Sequence, residues 1–222
     1  MVAGIVQQLG VHMGPCQPPD AANPRGYFED LRFRAMHTAW SRRYETDPER
    51  SRLRLPPWDP TPDALDMARY TRLIATCAER PRWGVKDPEL CYYGVRFAQT
   101  LRRPIRMIAT TRDPDATAAS LRARRRWLTA ADCERIIDDY ARRQAATIAE
   151  LVAHGNRPAL TIDYDEALAD PAGAVRRIAE HVDLPATEAA AAFVAPELRR
   201  HRPAQPVDTP RNDDQGVTTA TM

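Results

Sequence analysis

Apolar positions at helical spacing open the chain. Val2, Ile5, Val6 and Leu9 fall on one face and Gly10 follows as a stop, which predicts a helix over 1–9. Residues 15–30 (PCQPPDAANPRGYFED) are rich in turn formers and then aromatic, and a helix is predicted over 31–44. The stretch 45–60 reads as loop, and Asp63 is placed to cap a helix reaching residue 78. The period then shortens. Runs at 82–86, 105–111 and 159–164 read as strands, the first stopped by Asp87-Pro88. Between them, 89–101 carries Leu90, Val95, Phe97 and Leu101 at helical spacing, and another helix follows Pro114. Ile137, Tyr140, Ile148 and Leu151 mark a long amphipathic helix over 131–152, and two more are predicted at 171–182 and 187–194. Alternation of strand and helix predicts an α/β fold with a parallel sheet.

After residue 199 the pattern fades into a polar, proline-rich stretch with too little apolar surface to offset its ordering entropy, so 199–222 is predicted to be a disordered tail behind a single domain over 1–198. Composition agrees: 222 residues, 43% hydrophobic and 28% charged, suffice for one domain with a sizeable core. A net charge of +2 and a pI near 8.4 carry no polyanion-binding footprint, so no nucleic-acid partner is expected and any basic function must be local. The four cysteines form no C-x-x-C pair and do not combine with the five histidines at zinc-ligand spacing, which predicts reduced thiols and no structural metal. No run approaches the roughly 20 apolar residues of a membrane span, and the first residues lack the basic region and cleavage site of a secretory signal, so a cytoplasmic location and no membrane insertion are expected.

Candidate chemistry concentrates at 105–126. The apolar run IRMIATT ends on Arg112-Asp113-Pro114, and a helix follows that carries Ser120. A guanidinium at a strand end, a hydroxyl about two helical turns on, and the positive end of the helix dipole together suit a phosphate. The plainer alternative is Arg112 paired with Asp113 or Asp115, and Ser120 facing a packed helix. Arg122, Arg124, Arg125 and Arg126 continue the segment; one of them can add a phosphate contact or draw in an acidic acceptor, although cations near a helix C-terminus also suit the dipole as a solvated face. Lys86 sits where a parallel strand is predicted to end, the edge at which such sheets hold ligands, with a surface pair to Asp87 as the alternative. Glu29 and Asp30 immediately precede a predicted helix, where a carboxylate is also at home for structural reasons.

Five segments in order resemble the sulfotransferases that use 3'-phosphoadenosine 5'-phosphosulfate (PAPS): LGVHMG at 9–14, NPRGYFED at 23–30, WGVKDP at 83–88, RDPDATAAS at 112–120 and DYDEALADPAGAVRRIAEHVDL at 163–184. The resemblance implies a three-layer α/β/α domain with a parallel sheet of the P-loop nucleoside triphosphate hydrolase kind. It implies that Arg112 and Ser120 hold the donor's 3'-phosphate, that Lys86 stabilises developing charge, and that Tyr27 and Phe28 wall an acceptor pocket. Glu29 would be the general base, with Asp30 and His12 as rivals, and Asp170-Pro171 would cap the closing helix. PAPS would be the co-substrate and a hydroxyl or amine of a small molecule or glycan the acceptor. The family's opening strand and G-x-P-R-S-G-T-S loop, which cradles the 5'-phosphosulfate, have no match here. The expectation is therefore a chain cut at that loop, through a start assigned too late or as a true fragment, with little or no activity as written. Two other readings stay open: a non-catalytic nucleotide-binding or interaction protein on the same scaffold, and a phosphoryl-transferring P-loop enzyme, whose G-x-x-x-x-G-K-[ST] loop is equally absent.

Overall fold

A computed structural model describes residues 1–20, 23–58 and 61–194. Expectations for the stretch 199–222 lie outside the described residues. Ten helices and two strands follow one another as α1 (Val2–Gln8), α2 (Leu31–Tyr44), α3 (Pro48–Leu53), α4 (Ala64–Ala78), α5 (Leu90–Leu101), β1 (Ile108–Thr111), α6 (Pro114–Arg124), α7 (Ala130–Ala153), β2 (Leu160–Asp163), α8 (Tyr164–Ala169), α9 (Pro171–His181) and α10 (Glu188–Ala192) among the described residues. The protein is thus a helix-rich α/β chain with a small parallel sheet, in which Ile108 pairs with Leu160 and Thr111 with Asp163.

Caps explain most helix starts. Asp30, Asp63, Asp113 and Asp170 each accept a backbone N–H from the first turn of the helix they precede, and Pro114 and Pro171 preset the first helical residue. Thr129 and Asp132 form a reciprocal capping box on α7. Two helices lie where none was expected. The α3 turn falls inside the segment read as loop, although Asp47-Pro48 carried the same cap-and-proline signal, and it ends on Arg54 in the left-handed region at φ 58°. The α8 turn leaves β2 directly, with Asp163 serving as both last strand residue and cap.

The strand expected at 82–86 is corrected: it forms only an isolated parallel bridge, Trp83 with His12, held by His12 N–H to the Arg82 carbonyl and Gly84 N–H to the His12 carbonyl, both 3.0 Å. That segment has no strand partner among the described residues on its far side, so a continuous ladder cannot form. The strand expected at 105–111 also starts late, because the Ile105 N–H is drawn to the Asn156 side chain at 2.9 Å rather than to a neighbouring strand.

Three apolar clusters form the core, and one of them includes the strands. One joins α1, β2, α9 and α10; a second, largely aromatic, joins α2, α4 and α5 through Phe33, Trp40, Tyr70 and Tyr93; a third joins α3 and α7 through Leu53, Cys133 and Ile136. The α5 and α7 helices approach closely because Gly94 has no Cβ, which would stand only 3.0 Å from Thr147 Cγ2. Between β1 and the segment 82–88 lies a cleft of about 1710 Å³, floored by α5 and α7.

Candidate functional site

The cleft opens at the carboxyl end of β1, and the four residues singled out from sequence are found around it. Lys86, Arg112 and Ser120 line it directly, and Glu29 reaches it through an ion pair between its Oε1 and the Lys86 ammonium. Backbone pairing explains where Glu29 sits. Residues 15–17 run antiparallel to 29–31, with Gln17 N–H bonded to the Glu29 carbonyl and Leu31 N–H to that of Pro15. Phe28, just before, takes a left-handed φ of 57° and turns its ring into the interior, edge-on to Phe193 at 5.6 Å. That reversal, uncommon for a bulky residue, aims the next side chain at the cleft. The LGVHMG segment supports the same corner: Gly14, at φ 79°, lies so close to Asp30 that any Cβ there would collide with its carboxylate.

Glu29 is 8% exposed and its carboxylate is held from two sides, since its other oxygen stands 3.5 Å from the Arg34 guanidinium. Arg34 had no sequence signal beyond lying on α2; the loop 15–30 brings it into the site. Asp30 is committed elsewhere, as the α2 cap and as a bidentate partner of Arg32 at 2.7 and 3.0 Å. His12 is occupied at the backbone level by the Trp83 bridge, its side chain exposed, and it is not part of the cleft wall.

Lys86 does not pair with Asp87. Asp87 instead turns inward, accepting the Glu89 N–H at 2.9 Å and facing His37 Nδ1 at 2.9 Å. His37 is fully buried, its Nε2 lies 3.0 Å from the Tyr70 hydroxyl, and its ring stacks on Tyr93 at 4.8 Å. With the proton on Nδ1, the ring donates to Asp87 and accepts from Tyr70, so both ring nitrogens are paired. This chain of bonds fixes the turn that presents Lys86. Sequence reading missed His37, whose helical spacing to Phe33 and Trp40 marks only a core face.

At the other wall, Arg112 leaves the tip of β1 with its guanidinium 4.8 Å from the Tyr164 ring centre. Its neighbour Asp113 is used as the α6 cap through the Ala116 N–H at 2.7 Å, and Ser120 Oγ accepts from Arg124 at 3.3 Å. Tyr27 and Phe28 both line the cleft, the Tyr27 hydroxyl donating to Asp20 at 3.0 Å and the Phe28 ring largely buried.

A lysine, an arginine and a serine thus line a cleft that runs along β1 of a small parallel α/β sheet, groups with the chemistry to hold an anion. The model of the sulfotransferase family matches residues 19–188, and the chain belongs to that family. No curated protein and no solved structure matches it. Among the described residues no helix is long and apolar enough to cross a membrane, and no three His, Cys, Asp or Glu side chains gather as a metal-binding group.

Proposed function

We propose that the chain binds PAPS and moves its sulfuryl group to a hydroxyl or amine of a small molecule or glycan, on a three-layer scaffold of the P-loop hydrolase kind. What supports this reading best is that the Lys86 ammonium and the Glu29 carboxylate meet at a cleft whose opposite wall carries Arg112 and Ser120. Arg112 and Ser120 take the donor's 3'-phosphate, the guanidinium by its fork of N–H groups and the serine by its hydroxyl. Lys86 faces the sulfuryl oxygens and the leaving phosphate, where negative charge accumulates in transfer. Glu29 accepts the proton of the attacking group as the new O–S or N–S bond forms and the bond from sulfur to the bridging phosphate oxygen breaks. Its cationic neighbours must yield for that step: the Lys86 ammonium has to swing from the carboxylate to the arriving sulfuryl group.

The 222 residues contain no G-x-P-R-S-G-T-S stretch, so turnover by this chain is expected to be weak and ligand binding is the sharper readout. Calorimetric titration with 3'-phosphoadenosine 5'-phosphate should show binding, and Arg112→Ala should weaken it by about tenfold or more, the worth of one charge-assisted phosphate contact. Unchanged affinity in the variant would remove Arg112 from the site. Strong binding without sulfate transfer to any acceptor would favour a nucleotide-binding module instead.

A further inference from the structure

The cleft holds more cationic groups than the donor assignment uses. Three converge at its far end, from two different elements. Arg54 closes α3, and Arg124 and Arg125 close α6. The α6 end is docked on the α3 end by Arg125, which donates to the Leu53 carbonyl at 3.2 Å. Burial pushes the Arg125 guanidinium below its ordinary pKa, and the neighbouring charges of Arg54 and Arg124 push it further the same way. Arg125 is partly buried while Arg54 and Arg124 are exposed, and like charges gathered around a partly buried cation favour an anion beside it. Among the described residues none of the three meets a carboxylate: Arg124 bonds the Ser120 carbonyl and hydroxyl, and Arg125 the Leu53 carbonyl.

Beside these cations the cleft wall is apolar. Leu121 and Tyr140, both partly exposed, line it over the buried Leu53 and Ile136 of the same hydrophobic cluster. A helical cation face in solvent needs no such floor. Arg124 reaches the Ser120 hydroxyl at 3.3 Å and so borders the donor's 3'-phosphate, whereas Arg54 and Arg125 belong to the junction of α6 with α3.

We propose that this corner is the acceptor subsite, and that the acceptor is an amphiphilic anion: an apolar body against Leu121 and Tyr140, with a carboxylate or phosphate bound by Arg54 and Arg125. The assignment of this anion as acceptor rests on the sulfotransfer reading above; the binding of the anion does not. Selectivity follows from the chemistry. A neutral alcohol leaves the Arg54 and Arg125 guanidiniums without an anion, and a sugar acid leaves Leu121 and Tyr140 wet.

The test is a titration of the intact chain with 12-hydroxydodecanoate, 12-hydroxydodecyl phosphate, the methyl ester of the former, and a disaccharide uronate. One or both amphiphilic anions should bind at least about tenfold more tightly than the ester, and Arg54→Gln should weaken them by a similar factor. Arg54 is exposed and its side chain makes no hydrogen bond among the described residues, so its replacement leaves the fold intact; Arg125→Gln is the second variant. In both, 3'-phosphoadenosine 5'-phosphate should bind as in the parent, whereas Arg112→Ala should show the opposite pattern. Equal binding of acid and ester, binding insensitive to Arg54→Gln, or a preference for the uronate would each overturn the subsite. Anion binding without nucleotide binding would overturn the donor assignment and leave the subsite standing.

Discussion

His37 shows how a side chain remote from the reacting groups can decide their position. Its ring lies between Asp87 and Tyr70, and Asp87 in turn holds the Glu89 N–H just before α5, next to the Lys86 turn. Remove the imidazole and the Asp87 carboxylate and the Tyr70 hydroxyl lose partners in a place water does not reach. His37→Ala is therefore expected to cost about 2–4 kcal/mol, the range for a buried polar network broken from one side together with the space left behind. Tyr70→Phe, which removes one hydroxyl and keeps the packing, should cost about 1 kcal/mol. Urea unfolding of the two variants checks the order, and a His37→Ala loss no larger than that of Tyr70→Phe would show that the network carries no weight.

Among the elements, α7 has the most explicit start. Asp132 bonds the Arg52 guanidinium at 2.6 Å, and both the backbone and the hydroxyl of Thr129 complete its cap. The Arg52 bond, followed by the Thr129 bonds, holds the Asp132 carboxyl well below its ordinary value of 3.8. A carboxyl so lowered is charged in the native chain where the unfolded one would already be protonated. Its stabilisation is present in full above the ordinary value and is lost as pH falls through the lowered one. Asp132→Asn should thus melt earlier than the parent at pH 7 and approach it below pH 3, a gap that thermal melts across that range would reveal; a constant gap would assign the effect to packing. Caps of this kind were readable in advance. Asp63, Asp170-Pro171 and the 3.6-residue apolar spacing of α1, α5 and α7 each act within one or two turns, so local sequence contains the whole cause. The α3 turn was missed because six residues carry little periodicity, and the strand at 82–86 was over-read because ladder formation depends on a neighbour far along the chain. Arg112, Ser120, Lys86 and Glu29 were legible as chemistry, but the Lys86–Glu29 contact, the Arg34 approach and the Arg54–Arg125 corner join residues from separate elements, which no spacing encodes.

Over the whole molecule, the three apolar clusters meet around a cleft instead of across a continuous sheet, and β1 stands at the boundary. One edge of β1 is satisfied: Leu160 N–H bonds the Met107 carbonyl, and the parallel register runs from Ile108–Leu160 to Thr111–Asp163. Alternation along a parallel strand then directs the backbone groups of Ala109 and Thr111 toward β2 and those of Ile108 and Thr110 toward the cleft. No described strand lies on that side, so these groups are hydrated or bound by whatever occupies the cleft. Within one short strand the amides of Ile108 and Thr110 are expected to exchange with deuterium far faster than those of Ala109 and Thr111, while the α5–α7 contact, sealed at Gly94 and Thr147, should hold its protons longest. Amide-resolved exchange by NMR reads each position separately. Uniform protection along β1 would mean that its second edge is paired in solution, and the cleft would then have to be redrawn as the seat of another strand.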